Sequence, residues 1–281
     1  MDTSVITDVF DEKTDDALSW IGDNGAWLFD TIRAALEGTY DGVLWLVQLP
    51  PFYLVAIIAA ALGWRLINLT AGLLVGVGLI ACAFMGLWDQ TMSTLALVIT
   101  ATLMALIVGI PIGVVAGFVK TFDNVLQPVL DLIQTLPPYI YLLPAIALMG
   151  YGPATALMAT VIVAMPPAIR LTSLGIRRTP NELVELGHSS GLTPWQMFVK
   201  IRLPFAIPSV MAGINQSLMM AFSMVVIAGI VGSGGLGETI YGAVRTLDIA
   251  TSINAAIAIV ILTMVLDRLT QSAAGRANGG K

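Results

Sequence analysis

Charged residues are scarce in this chain. Asp, Glu, Lys and Arg together make up 11% of its 281 residues, whereas apolar residues make up 57% and the mean hydropathy is +0.88. Soluble domains carry about 25% charged residues, so this composition excludes a water-soluble fold. Because the apolar residues form runs of about 20, the length that crosses a bilayer core, we expect an all-α polytopic membrane protein.

Residues that carry catalysis or bind metals are also rare. Cys82 is the single cysteine and His188 the single histidine, which excludes an internal disulfide and a multi-cysteine metal site. His188 lies in a predicted cytoplasmic loop about a membrane thickness from Ser233, so no Ser–His pair can form. The chain also lacks the Gly-x-x-x-x-Gly-Lys-Ser/Thr loop that binds phosphates. We therefore predict no catalytic residue, no metal site and no cofactor held by this chain.

A glycine-rich string at 232–237 matches the letters of a dinucleotide-binding loop. Such a loop needs a preceding strand, a following helix and an acidic residue about 20 positions later. Here an apolar membrane run precedes the string. We expect these glycines to form the outer end of a helix and a close-packed turn.

Seven apolar runs are candidate membrane spans. Gly150, Gly152 and Pro153 separate the fourth run from the fifth, and both are near the lower length limit for a span. The runs are residues 43–64, 66–88, 92–119, 136–151, 154–169, 207–231 and 253–269.

Acidic residues are concentrated at the N-terminus, where ten of the eighteen precede Val43. We predict an extracytoplasmic acidic segment at 1–42 containing an amphipathic interfacial helix at 17–39. The start lacks the cationic and apolar parts of a signal peptide, so we expect it to be retained. The remaining predicted divisions are two extra spans at 43–90, a core at 91–270 and a cytoplasmic tail at 271–281. No basic patch favours nucleic-acid binding.

Orientation follows from the cations, because Lys and Arg accumulate in short cytoplasmic loops. With the N-terminus outside and the C-terminus inside, ten of the thirteen Lys and Arg residues are cytoplasmic. Only Lys13, Arg33 and Arg245 are then outside. The ten are Arg65, Lys120, Arg170, Arg177, Arg178, Lys200, Arg202, Arg268, Arg276 and Lys281.

The polar, cation-rich loop at 170–206 contains signals for two short helices. Thr179 with Glu182 and Thr193 with Gln196 each have the spacing of a capping box, and each threonine is followed by proline. Gly191 suits the left-handed turn that closes a helix. We expect the second helix to end near Pro204, because proline disfavours helical geometry in its predecessor.

This loop resembles the EAA loop of ABC importer membrane subunits. The matching residues are a glutamate, small residues after it, a glycine six positions on and an Ile-x-Leu-Pro ending, although Leu186 and Gly187 replace the usual two alanines. In that family the loop docks onto the ATPase. The resemblance therefore implies a coupling role for Glu185, Gly187, Gly191, Ile201, Leu203 and Pro204.

The wider resemblance covers about residues 92–271 and narrows to the glycine betaine and proline betaine subfamily. It is carried by the strings at 131–135, 166–172, 212–218 and 234–238. It implies the five-helix core of a type I importer, preceded by two extra spans, in the bacterial inner membrane. It also implies a homodimer, two ATPase subunits that bind ATP and Mg²⁺, an extracytoplasmic binding protein, and an amine substrate: glycine betaine, proline betaine, choline, carnitine or an amine oxide. The chain itself is then not an enzyme.

Polar residues inside the spans are candidates for the translocation path. Asn215, Gln216 and Ser217 lie about 12 Å along the sixth run at 1.5 Å per residue, and helix-to-helix hydrogen bonding explains them about equally well. Tyr139 and Tyr141 could present their rings to a cation or anchor the chain at the interface. Weaker candidates are Thr100, Thr102 and Ser223, because hydroxyls bond readily within their own helix.

Three other functions fit parts of the sequence. A permease of the same fold could carry an unrelated solute such as methionine. An ion-coupled secondary transporter would bury ionisable residues at its coupling site, and the runs contain almost none. A non-transporting scaffold would have no use for the two predicted caps in the cytoplasmic loop.

Overall fold

The computed structural model describes residues 3–277, and all regular structure in that range is helical. This confirms the all-α class. The α-helices of the described range are α1 (Thr3–Gln48), α2 (Phe52–Leu66), α3 (Leu69–Phe84), α4 (Trp88–Phe118), α5 (Lys120–Thr135), α6 (Leu142–Met149), α7 (Pro153–Arg177), α8 (Asn181–Ser189), α9 (Pro194–Met197), α10 (Leu203–Ala228), α11 (Gly235–Thr246) and α12 (Ile249–Ala277). Short 3₁₀ turns span Pro138–Tyr141 and Gly229–Val231, and a π-helical turn spans Phe198–Arg202.

Four helical segments within the described range are long and apolar enough to cross a membrane. They are α4, α7, the rod Pro194–Val231 that contains α9 and α10, and the part Ile249–Ser272 of α12. These match the third, fifth, sixth and seventh predicted runs. Two bent pairs raise the number to six if each pair is one span, and α3 has only 16 residues. Seven spans therefore stay a prediction.

The first predicted span, 43–64, is not one helix. α1 ends at Gln48 and α2 begins at Phe52, and the two helices meet at 91°. Pro50 and Pro51 cause the break, because proline lacks the backbone N–H and its ring clashes with the preceding turn. The helix predicted at 17–39 extends further at both ends, since α1 has 46 residues.

The fourth predicted run, 136–151, holds one short helical segment, Pro138–Met149. α5 ends at Thr135, and the following segment Pro138–Met149 turns away from it by 105°. The adjacent Pro137 and Pro138 interrupt the helix. The φ angles of +76° at Gly150 and +133° at Gly152 then turn the chain into α7.

The core lies where α4, α7 and α10 pack against one another. Gly109, Gly113 and Gly117 follow each other at intervals of four, which places them on one face of α4. A Cβ at Gly113 would lie 2.7 Å from the carbonyl oxygen of Ile169, and one at Gly117 would lie 2.8 Å from the Cβ of Ile176. Small residues thus bring α4 and α7 into close backbone contact, as is common between membrane helices.

Candidate coupling site

A tight turn joins α8 to α9. The N–H of Leu192 donates to the carbonyl of Gly187, and the N–H of Gly191 donates to that of His188, both at 3.0 Å. This pair of bonds is the Schellman motif that ends helices at a left-handed residue. Gly191 has φ +70°, which confirms the predicted left-handed turn.

The cap of the second short helix forms as predicted. The N–H of Gln196 donates to Thr193 Oγ1 at 3.3 Å, and Gln196 Oε1 accepts from the N–H of Thr193 at 3.0 Å. The capping box predicted at Thr179 is wrong. α8 begins one residue later, after Pro180, and the buried Thr179 hydroxyl donates back to the carbonyl of Ile176 at the end of α7.

Gly187 lets α8 lie directly against the following helix. A Cβ at this position would come within 2.5 Å of Met197 Cε and 2.8 Å of Ile201 Cδ1. Gly187 and Met197 are both buried. Among the six residues predicted from the loop motif, Gly187 and Ile201 are therefore in contact distance, and Gly191 sets the turn between their helices.

The second helix does not end at Pro204, contrary to the sequence prediction. α9 continues through the π-helical turn Phe198–Arg202 into α10, and Leu203 and Pro204 stand in the first turn of α10. A π turn shifts the hydrogen bonding to i→i+5. Proline is tolerated in the first turn after such a shift, because its missing N–H is not needed there.

Large apolar side chains are exposed on this segment in the isolated chain. Leu186 and Trp195 are 62% and 71% exposed. Glu185 is exposed as well, and its side chain forms no hydrogen bond or ion pair with any described residue. Exposed aromatic residues such as Trp195 are enriched at protein interfaces, so this surface suits docking of a protein partner.

A ladder of aromatic rings ties this segment to the end of α4, and sequence reasoning missed it. The ring centroids of Trp195 and Phe198 are 5.7 Å apart, and those of Phe198 and Phe118 are 5.8 Å apart. The guanidinium of Arg202 lies 4.7 Å from the centroid of Phe118. These arrangements are favourable for ring pairs and for a cation over a ring. Their only sequence signal is the three-residue spacing of Trp195 and Phe198.

A charged cluster joins α5 to the last turns of α7, and it was not predicted either. The buried carboxylate of Asp123 pairs with Arg177 and accepts hydrogen bonds from Ser173 and Gln127, each at 3.1 Å. Arg177 also donates to the carbonyl of Ala116 on α4 at 3.0 Å. Three helices therefore meet at Arg177, four residues before α8 begins.

A second ion pair lies along the same two helices. Arg170 Nη2 is 2.5 Å from Asp131 Oδ1, and the side chain of Asp131 is 66% exposed. Asp131 follows Asp123 by eight residues on α5, whereas its partner Arg170 precedes Arg177 by seven residues on α7. α5 thus lies antiparallel to the end of α7.

The predicted path residues are dispersed. Asn215 Oδ1 accepts a hydrogen bond from Thr270 Oγ1 at 2.8 Å, so it joins α10 to α12. Gln216 is exposed in the single chain, while Ser217 is buried and its hydroxyl finds no partner among the described residues. Tyr139 is 57% exposed, whereas Tyr141 donates to the carbonyl of Ile133 at 2.8 Å. Whether any of them lines a path stays a prediction.

The weaker hydroxyl candidates behave in two ways. Ser223 donates to the carbonyl of Met219 within its own helix, as expected. The buried hydroxyls of Thr100 and Thr102 have no hydrogen-bond partner in the part of the chain that the structure describes. Contrary to the expectation, they therefore do not bond within their own helix.

The glycine string at 232–237 forms a close-packed turn, as predicted. A Cβ at Gly229 would lie 2.2 Å from the carbonyl carbon of Gly237, and one at Gly235 would lie 2.6 Å from Thr94 Oγ1. Thr94 accepts from the N–H of Leu236 at 2.8 Å. This turn fixes α11 against the ends of α4 and α10.

Comparison with known sequences places the chain among transport proteins. Residues 109–276 match the family described as binding-protein-dependent transport system inner membrane component. A glycine betaine transport system permease protein, OpuAB of Bacillus subtilis, is 40% identical over 95% of this chain and 93% of its own. The glycine betaine/proline betaine permease protein ProW of Escherichia coli is 38% identical over 93% of this chain and 74% of its own.

A further sequence and a solved structure also resemble transport proteins. A glycine betaine/carnitine transport permease protein, GbuB of Listeria monocytogenes, is 41% identical over 87% of this chain and 88% of its own. A chain of the inward-facing MetNI methionine ABC transporter superposes with a TM-score of 0.58 over 68% of this chain and 93% of its own, at 22% identity. At that identity the likeness establishes the fold alone.

Proposed function

This chain belongs to the family of inner membrane components of binding-protein-dependent transport systems, and we propose that it forms the translocation path of an ATP-driven importer for a compatible-solute-type amine. Its curated relatives are permeases for glycine betaine with proline betaine or carnitine, and for trimethylamine N-oxide. The substrate of this chain is then glycine betaine, proline betaine, choline, carnitine or an amine oxide. ATP and Mg²⁺ are bound by a separate subunit.

The geometry of the segment from α8 to the π turn carries the coupling part of this proposal. Its glycine-shaped turn, its capped second helix and the contact at Gly187 make it rigid. Its outer face exposes Leu186 and Trp195 beside the carboxylate of Glu185. A rigid element of this kind suits docking on an ATPase. We propose two ATPase subunits on a homodimer of this chain, with a binding protein on the opposite side.

Substitutions in the coupling segment test the docking role. Gly191→Val should nearly abolish co-purification of the ATPase in detergent, because a β-branched residue is strained at φ +70° and misdirects α9. Glu185→Ala should weaken docking more locally, by about 1.5–3 kcal/mol if the carboxylate is buried on assembly. Glu182→Ala, on the same helix, is the matched control for loss of an exposed carboxylate.

Two measurements decide this test. Co-purification reports docking, and substrate-stimulated ATP hydrolysis in liposomes reports coupling. Wild-type behaviour of both the Gly191 and Glu185 variants in both assays would show that this segment is not the docking element.

Asn215 tests the proposed path. Asn215→Leu removes the amide without adding a charge, and it leaves the segment from α8 to α9 unchanged. We expect slower uptake with normal membrane insertion and normal ATPase docking. Thr270→Val removes the hydroxyl that donates to Asn215, together with its bonds to the carbonyls of Leu266 and Asp267 in its own helix, and it is the control for a helix-joining role. Equal losses in both variants would assign Asn215 to helix packing.

The orientation we propose has the N-terminus outside and α8 in the cytoplasm. Cys82 is buried, so single cysteines can be added without removing it. An impermeant thiol reagent should label Thr246→Cys in intact cells and Arg178→Cys only after permeabilisation. Labelling of Arg178→Cys in intact cells would show that the chain has the opposite orientation.

A further inference from the structure

A cavity of about 410 Å³ lies at the end of the rod opposite the coupling segment, beside α11. Its walls are formed by α11, by the turn at Tyr151 and Gly152 that precedes α7, and by the residues that follow α10. The volume falls within the range of about 300–1,000 Å³ that is usual for small-molecule sites. Under the proposed orientation, this cavity opens on the extracytoplasmic side.

One face of α11 supplies the functional groups. Glu238, Tyr241, Gly242 and Arg245 are spaced by three, one and three residues, which places them along one side of a helix, and all four line the cavity. The Arg245 guanidinium lies 5.7 Å from the ring centroid of Tyr241. Tyr151, which is 70% exposed, adds a second ring from the opposite wall.

Gly242 keeps the cavity open. It lies inside α11 with ordinary helical geometry, and a Cβ built on it would meet no atom within 4 Å. Neither backbone strain nor tight packing therefore requires glycine here, although glycine inside a helix is less stable than alanine. Its measurable effect is to leave the space beside Glu238 and Tyr241 unfilled.

We infer that this cavity is a low-affinity entry site for a small zwitterionic amine on the permease itself. The ring of Tyr151 and the carboxylate of Glu238 suit a quaternary ammonium group, and Arg245, which lies over the ring of Tyr241, suits a carboxylate. One helix face thus offers complementary charges to both ends of the molecule. The inference rests on the proposed function and adds a binding site to it.

Binding can be measured on the complete complex of permease and ATPase without the binding protein, with glycine betaine as the probe. Saturation-transfer NMR should show contact with the trimethylammonium protons of the probe. Gly242→Leu should abolish the transfer by filling the cavity. Glu238→Gln should weaken the apparent affinity about tenfold, equivalent to about 1.4 kcal/mol, while it keeps an acceptor for the N–H of Gly234 that Glu238 binds at 2.7 Å.

Gly42→Leu is the matched control, because Gly42 is also helical, exposed and without neighbours within 4 Å. It should leave the transfer unchanged. Absence of transfer from the wild-type complex, or equal transfer from wild type and Gly242→Leu, would overturn the inference. Uptake by wild-type vesicles supplied with the binding protein tests the proposed function separately. Normal uptake without saturation transfer would refute the entry site alone, whereas absence of uptake of any amine would refute the proposed function.

Discussion

Glycine residues shape both ends of the rod Pro194–Val231, but they act differently at the two ends. At the coupling end, Gly187 lies under Met197 and Gly191 adopts a left-handed turn, and the outer surface exposes Leu186 and Trp195. At the opposite end, Gly229 and Gly237 hold two backbones together, while Gly242 borders open space. The same residue type therefore shapes the proposed docking surface at one end and borders a cavity at the other. The atoms nearest to a Cβ built at each glycine distinguish these roles.

The largest effect is expected at Gly229, on the cavity side. A Cβ there would be 2.2 Å from the backbone of Gly237, and no side chain can move to relieve the clash. Gly229→Ala should cost about 3 kcal/mol or more, the upper range for overpacking, and should sharply lower the thermal unfolding midpoint of the purified complex. Gly242→Ala should leave that midpoint unchanged or slightly higher. Equal midpoints for the two variants would show that the close backbone contact at Gly229 and the open space at Gly242 do not differ in their effect on stability.

Ion pairing sharpens the comparison, because the described ion pairs near α7 lie toward the coupling end. Asp123→Asn should destabilise the protein by about 2 kcal/mol, since Asp123 is buried and accepts several hydrogen bonds, one of them from Arg177. Asp131→Asn should cost less than about 1 kcal/mol, because that side chain is exposed. Thermal midpoints of the two variants test this. A larger loss at Asp131 would contradict it.

A smaller effect is expected from Gly187→Ala. Its Cβ would meet the flexible end of Met197 rather than backbone, so Met197 can move and the cost should stay below about 1 kcal/mol. The double variant Gly187→Ala, Met197→Ala should recover the spacing of the two helices. Co-purification of the ATPase measures the result, and loss of docking in the single variant that persists in the double variant would point to direct contact of Gly187 with the partner.

The smallest effect concerns Asp248, which lies just before α12 at the cavity end. Hydrogen bonds from the side chain and the backbone N–H of Thr251 lower the pKa of Asp248. A carboxyl with a lowered pKa stabilises the folded state above the ordinary Asp pKa of about 3.9. That contribution disappears as the pH falls through the lowered value. Asp248→Asn should therefore slightly reduce the acid sensitivity of the unfolding midpoint as the pH falls below the ordinary Asp pKa of about 3.9; an unchanged pH profile would refute this.

The sequence predicted the features that depend on local signals. The long apolar runs gave α4, α7, α10 and α12, and Thr193 and Gly191 marked a true cap and a true left-handed turn. Proline accounts for three differences from the predicted helices. Pro50 and Pro51 break the first run, Pro137 and Pro138 separate the fourth run from α5, and Pro204 lies in the first turn of α10 instead of ending a helix.

The missed features depend on contacts between distant parts of the chain. Asp123 and Arg177 are 54 positions apart, and Phe118 and Phe198 are 80 apart, so no local pattern pairs them. The false cap at Thr179 has a local origin instead, because its buried hydroxyl bonds to the carbonyl of Ile176, three residues earlier at the end of α7. The stripe Gly109, Gly113 and Gly117 was readable from its spacing alone, since small residues at every fourth position mark a helix-packing face.

The uninterrupted rod has a mechanical consequence. It is pressed against α7 near its midpoint, where a Cβ at Gly213 would lie 3.2 Å from Leu171 Cβ. At 1.5 Å per residue, each end lies about 28 Å from that point. If the rod rotates as a rigid body about Gly213, its two ends move in opposite directions. A rotation of about 5° then displaces each end by about 2.4 Å, given the same rise per residue. A small displacement at Trp195 would then produce an opposite displacement of similar size at Val231, which changes the width of the cavity there.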